Sequence, residues 1–267
     1  MSVLALLAHH WRRHRLALLW LSAANALFQW AITRVVPDAS QTAFVRDLFA
    51  MVPAPVRVLF GEELMANLTA GGFLAFSYVH PFPLLIFSAW AVRVATGALA
   101  GEVGRGTMDL IAARPVSRGA QVTAAAITIG AGLTFLAAAE WCGTAAGLRA
   151  RVLEDVAAAQ YLPLAAMSLL LFAAFGAIAL LVSALRSDGG SAISWCAGIL
   201  AGSYVTEYLA RVWPAIGFLR PFTLFRYFEP QRILRDGGAS TLDVTVLAGA
   251  GAAALLLAFV AFGRRDL

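Results

Sequence analysis

The sequence predicts an all-α, polytopic membrane protein with six transmembrane helices, and three observations carry that reading. Of the 267 residues, 61% are hydrophobic and 13% charged, with a mean hydropathy of +0.78. Soluble domains sit at roughly 45–50% apolar and 25% charged. So much apolar surface exceeds what one water-soluble core hides, which points to a chain that crosses the bilayer repeatedly. Six apolar stretches then lie near the ~20 residues that one crossing requires. The polar residues concentrate between those stretches, so nearly the whole chain reads as a single transmembrane domain and its rim.

Residues 1–15, "MSVLALLAHHWRRHR", set Val3, Leu4, Leu7 and Trp11 on one side and end in a His/Arg cluster. The charges follow the apolar part, the reverse of a signal peptide, and no small-residue cleavage site appears. An interfacial helix on the cytoplasmic surface is therefore expected. The spans are expected at about 16–36, 72–98, 120–147, 156–185, 191–212 and 241–263. Loop 99–119 separates the second and third. Loops 37–71 and 213–240 are longer. Within them, "QTAFVRDLFAMVPAPVRVLF" (41–60) and "WPAIGFLRPFTLFRYFEPQRILR" (213–235) read as amphipathic segments lying on, or re-entering, the outer surface.

An even number of spans puts both termini on one side. All 20 basic residues are arginine, and they divide evenly between the two faces. The short flanks are less even: Arg12, Arg13, Arg15, Arg105, Arg114, Arg118, Arg186, Arg264 and Arg265 hug helix ends on one face. The opposing arginines lie mostly in the long loops, which count less for topology. The expectation is a multi-pass protein of the plasma (inner) membrane with cytoplasmic N- and C-termini. Without lysine the chain has neither a G-x-x-x-x-G-K-[ST] phosphate loop nor a Schiff-base amine. Arginines spread beside apolar spans fit topology and not nucleic-acid binding. Cys142 and Cys196 stand in apolar segments with no C-x-x-C or Cys/His cluster, so no metal site is expected and both read as small buried residues.

Residues 101–118, "GEVGRGTMDLIAARPVSR", form a polar island between two apolar stretches. Thr107 suits a helix N-cap and Asp109 the positive first turn. Met108, Leu110 and Ile111 supply a small apolar face, and Pro115 forbids continuation. A helix of about two turns is expected, lying parallel to the membrane. On composition alone this is an ordinary cytoplasmic loop.

Three stretches together resemble the ABC-2 type permeases, the transmembrane subunits of ATP-driven exporters of the type V class. "EVGRGTMDLIAARPVSR" (102–118) is similar to the family's first cytoplasmic loop, with an acid, then G-T, apolar residues and P-x-S-R. "PFTLFRYFEPQRIL" (221–234) resembles the outer segment before the last helix. "AFVAFGRRDL" resembles the usual terminus. The resemblance implies a soluble partner ATPase that carries the ATP and Mg, with no cofactor and no catalytic residue on this chain. It also implies a second permease subunit, in a homo- or heterodimer surrounded by membrane lipid. The island would then be the coupling helix. Gly106 and Thr107 start it, Asp109 is a polar contact and Pro115 fixes its end. Glu102 and Arg105 contact the ATPase or each other, and Ser117 and Arg118 anchor the third span.

Charges at membrane depth cost about 2.5–3.5 kcal/mol each on insertion scales and invite a functional reading. Glu207 has Arg211 one turn later, an i,i+4 pair that reads as structural. Glu140 has no local partner; it either faces a pathway or meets an arginine from another span. His80, beside Pro81 and Pro83, marks a bent second span and reads as packing polarity more than a proton relay. Asn25 and Gln29, one turn apart, are expected to bond across to another helix. "GILAG" (198–202) and "AGAGAAA" in the sixth span allow close backbone approach, within one subunit or between two.

Two other classes compete with the permease reading. A stand-alone proton-coupled secondary transporter would use Glu140, Glu207 or His80, yet internal repeats of that class are not detected. An intramembrane enzyme is hinted at by "EELMAN" from Glu62, without the arginine such paired-glutamate proteases carry; H-E-x-x-H and G-x-S-x-G are both missing.

Overall fold

A computed structural model describes residues 3–36, 69–106, 117–153 and 156–265, together with Asp47 and Met51. Its regular elements are all helical. In chain order they are α1 (Val3–Val35), α2 (Ala70–Phe76), α3 (Pro81–Ala98), α4 (Ala100–Gly104) and α5 (Arg118–Ala150). There follow α6 (Leu162–Leu185), α7 (Gly189–Val212), α8 (Pro230–Asp236) and α9 (Thr241–Gly263). Short 3-10 turns lead into α3 and α6 and occupy Pro214–Phe222 and Leu224–Tyr227.

Among the described residues, five helical stretches are long and apolar enough to cross a membrane: Val3–Val35, Ala70–Ala98, Arg118–Ala150, Ala158–Leu185 and Thr241–Gly263. The expected fifth of six spans forms α7, a helix of 24 residues. It is less apolar than the others because Ser191, Ser194, Ser203, Glu207 and Arg211 share it with four glycines. Most of the expected outer loop 37–71, including residues 41–60 and Glu62, lies outside the described residues.

One expectation is corrected. An interfacial helix over 1–15 followed by a separate span is replaced by α1, a single helix of 33 residues. No glycine or proline stands between Arg12 and Leu19, and arginine, alanine and leucine are among the strongest helix formers, so nothing local breaks the helix. At 1.5 Å per residue it is about 50 Å long, well beyond the ~30 Å hydrocarbon core.

The first and third spans run parallel. His10 meets Thr128, Asn25 Nδ2 donates to Leu136 O at 3.3 Å, and Gln29 Nε2 reaches Glu140 Oε1 at 3.5 Å. Two glycines permit this approach. A Cβ on Gly143 would stand 2.2 Å from Ala26 O, and one on Gly147 2.1 Å from Thr33 Oγ1. The expected small-residue motif at Gly198 and Gly202 is different: a Cβ there meets nothing within 4 Å. Close approach inside the subunit is made instead by "GTAAG", Gly143 to Gly147, and, as expected for the sixth span, by Gly251 of "AGAGAAA", where a Cβ would lie 3.3 Å from Ala174 Cα.

Around α5 lie α3 and α6. Trp90 slots over Gly132, whose missing side chain leaves room for the indole, and donates to Ile129 O at 3.1 Å. Phe87 stacks on Phe172 at 5.0 Å. The second span breaks at His80, where α3 begins with Pro81 and the imidazole accepts from Phe82 N at 3.2 Å. Of the two cysteines, Cys196 is buried but Cys142 is exposed, against expectation. It lies on the side of α5 turned away from α1.

Candidate functional site

Two groups of polar residues stand at opposite ends of the bundle, and a third lies inside it. The near end gathers the starts of α1 and α5 with the ends of α3, α6 and α9. There Glu102, in the first turn of α4, accepts from Arg13 of α1 at 2.8 Å and from Arg105. Glu102 and Arg105 do contact each other, as one of the two expected options had it, and Arg13 joins them. The α4 backbone backs onto the loop between α6 and α7: a Cβ on Gly104 would lie 3.2 Å from Ser187 O. Ala100 N donates to Ser183 Oγ of α6 at 3.0 Å.

Gly106 closes this stretch with φ +67°, in the left-handed region where glycine alone carries no Cβ penalty. The chain turns there directly into residues 107–116. That segment, with the expected coupling residues Thr107, Asp109 and Pro115, lies outside the described residues. On its other side Ser117 caps α5, its hydroxyl accepting from Ala120 N at 3.2 Å. Arg118 donates to Gly263 O at the end of α9, at 3.0 Å. Arg265 donates to Ala184 O and Arg186 O at the end of α6. Both flanks of the polar island are thereby tied to helix ends elsewhere.

Glu140 belongs to the interior. It is fully buried on α5, and Gln29 of α1 is its hydrogen-bond partner through Oε1. Gln29 in turn accepts from Ser77 Oγ at 2.6 Å, and Tyr78 OH meets Thr144 Oγ1 at 2.9 Å one turn from Glu140. Neither sequence expectation for Glu140 is what is seen within the subunit: it opens onto no surface, and no arginine bonds it among the described residues. It ties three spans together. His80 contacts neither Glu140 nor Glu207; its ring lies 5.0 Å from that of Phe28.

At the far end Glu207, 1% exposed, is the anchor of the segment between α7 and α9. Its Oε1 accepts from Arg211 Nε at 2.9 Å, as the i,i+4 spacing predicts, and also from Arg220 Nη2 at 3.0 Å. Its Oε2 accepts from Thr223 Oγ1 at 2.8 Å. Glu229, Arg232 and Asp243 extend this cluster to the start of α9. Sequence reasoning missed Arg220 and Thr223, which lie 13 and 16 residues beyond Glu207 with no periodic signal. It also missed Arg13 as the partner of Glu102, 89 residues away.

These groups place no nucleophile beside a base, and no cluster of metal-ligating side chains occurs among the described residues. The arrangement joins helices to one another. The model of the family described as ABC-2 family transporter protein matches residues 38–267. The chain belongs to the ABC-2 transporter family. No curated protein matches it. As an ABC-2 permease it is a multi-pass membrane protein and a transport subunit of an ABC transporter, whose matched region takes in the near-end island, Glu140 and the far-end cluster together.

Proposed function

We propose that this ABC-2 permease forms the translocation pathway of an exporter and is driven by a separate soluble ATPase docked on residues 101–118. α7 is the remaining transmembrane helix, making six. Both termini are cytoplasmic, the membrane is the plasma (inner) membrane, and ATP with Mg is held by the partner. Glu102, Arg105, Gly106, Thr107, Asp109, Pro115, Ser117 and Arg118 are the coupling residues on this reading.

One observation supports the docking role above the rest. The two flanks of 107–116 are fastened to other helices: to α1 at Arg13, within its first half, to the end of α6 at Ser183 and to the end of α9 at Gly263. A plain turn between two spans needs no such fastening, whereas a segment that takes a load does, because rigid, packed elements carry displacement farther than loose ones. A separate observation argues against the stand-alone carrier: Glu140 and Glu207 are both engaged in joining segments of the chain.

A second permease subunit completes the pathway. Among the 24 residues of α7 only Ala192, Cys196, Glu207 and Ala210 are buried, and Gly198 and Gly202 are open. A helix so polar and so exposed is better covered by another protein helix than by lipid, since small and hydroxylated residues pack well between helices.

Replacing Thr107, Met108 and Asp109 together by alanine tests the docking role. Normal membrane insertion with loss of ATP hydrolysis from the purified complex is the expected result. Unchanged association of the ATPase would sink the assignment of this segment.

A further inference from the structure

In the far half of the α1–α5 pair the two helices meet directly, at Gly143 and Gly147. In the near half a side chain of α3 stands between them. The Trp90 indole covers Gly132 of α5 and meets the His14 ring of α1 edge-on, with centroids 5.9 Å apart. Beside that indole lies a cavity of about 290 Å³, walled by Leu7 and Trp11 of α1, by Trp90, and by Ile127 and Ala131 of α5. Trp11, Ile127 and Ala131 are exposed, so the cavity opens onto the outside of the bundle. An apolar cavity of about 150 Å³ already admits benzene, so this one has room for part of an alkyl chain.

Two guanidinium groups rest on its wall. Arg12 Nε donates to Ala8 O at 3.3 Å, and Arg93 Nε donates to His14 Nδ1 at 3.4 Å. Ala8 and His14 both line the cavity. Both arginines are exposed, and among the described residues neither meets a carboxylate; their neighbour Arg13 is the one that takes Glu102. Basic pockets between transmembrane helices on the cytoplasmic side suit anionic headgroups, and guanidinium binds phosphate through short, charge-assisted hydrogen bonds. Trp11 at the mouth suits the interfacial layer, where indoles are enriched. A second copy of this chain fits the same groove poorly. The 33 residues of α1 include no Asp or Glu, so a two-fold contact through this face would set arginine against arginine.

We propose that this groove is a binding site for an anionic phospholipid of the cytoplasmic leaflet, with one acyl chain against Trp11 and Ala131 and the phosphate on Arg12 and Arg93. The site lies outside the transport reading; only the choice of leaflet rests on the cytoplasmic termini proposed above.

The test places the full chain, with Cys142→Ala and Cys196→Ala, in nanodiscs of equal phosphatidylglycerol and phosphatidylcholine, and native mass spectrometry counts the lipids that stay bound. Each arginine near a headgroup is worth roughly a fivefold preference, so the parent is expected to retain one phosphatidylglycerol about twenty-five-fold over phosphatidylcholine. Arg12→Gln with Arg93→Gln should bring that ratio to about one, while Arg149→Gln, an exposed arginine at the other end of α5, leaves it unchanged. Ala131→Phe fills the groove with both arginines intact and should abolish retention of the lipid. Equal retention of the two lipids by the parent overturns the proposal. So does a preference that survives Ala131→Phe, which would make it surface charge alone. A disulfide between two copies through Ala8→Cys also overturns it, because a second subunit then covers the groove. Should one of these variants fail to insert, the parent ratio and the remaining variant decide by the same criteria. Both leaflets of the nanodisc hold both lipids, so the result is independent of orientation, and an inverted topology is detected separately by labelling in cells.

Discussion

Glu140 shows how one polar side chain in a bilayer earns its position. A carboxyl at this depth is expensive unless it is hydrogen-bonded; Gln29, itself bonded to Ser77, provides a partner for Oε1, while Oε2 has none among the described residues. Interhelical hydrogen bonds in membranes average about 0.6 kcal/mol and reach about 1.7; leaving a buried partner unsatisfied costs about 1–3 kcal/mol. Glu140→Ala is accordingly expected to lower stability by about 1–2 kcal/mol in detergent unfolding, because Gln29 loses its acceptor. Glu140→Gln keeps an oxygen and the volume, and its loss should be clearly smaller. Equal losses in the two variants would show that bulk, and not hydrogen bonding, is what the site needs. Glu207 answers the same problem by pairing. Two arginines and Thr223 converge on its carboxylate, and the segment leading to α9 is gathered over the bundle as a consequence.

Among the elements, the α1–α5 pair depends most on the absence of side chains. Gly143 lies so close to Ala26 that a single methyl group would meet backbone, which moves only with the whole helix. Overpacking of this kind costs about 1–3 kcal/mol. We expect Gly143→Ala to destabilise by that amount in thermal unfolding, whereas Gly130→Ala, on the same helix with open space at its Cβ, should change stability by less than about 0.5 kcal/mol. A comparable loss at Gly130 would mean that helix flexibility, not close approach, is being measured. The sequence pointed to "AGAGAAA", whose Gly251 does approach Ala174 closely, and to a different small-residue pair, Gly198 and Gly202, which is open. Both pairs have the same G-x-x-x-G spacing, and spacing alone does not tell which helix face is turned toward a neighbour. Similarly, α1 was legible as an apolar segment with a basic cluster, but its continuity was not, because charges at positions 12–15 mark an interface without breaking a helix.

For the whole molecule, orientation is the property with the most direct consequence. If both termini are cytoplasmic, Ser187, between α6 and α7, faces the cytoplasm and Ser240, the cap of α9, faces outward. With Cys142 and Cys196 replaced, a cysteine at Ser240 is expected to react with a membrane-impermeant maleimide on intact cells, and one at Ser187 only after lysis. The reverse pattern would invert the topology and remove the 101–118 segment from any cytoplasmic ATPase.

The sequence by itself determined the class of this protein. Residue hydropathy accumulates along each stretch of about 20 residues, so membrane spans, the break at His80–Pro81 and the polar island at 101–118 are local properties that need no partner to be read. Membership of the ABC-2 family was legible too, from three short motifs in order. What only the tertiary structure decided is which of these pieces touch: Arg13 with Glu102, Arg220 with Glu207, Gln29 with Glu140, and the C-terminal Arg265 with the end of α6. Those contacts span from 13 to more than 100 residues of chain. They follow from the order and direction in which helices pack, and periodicity along one helix records only that some face is to be covered, never by what.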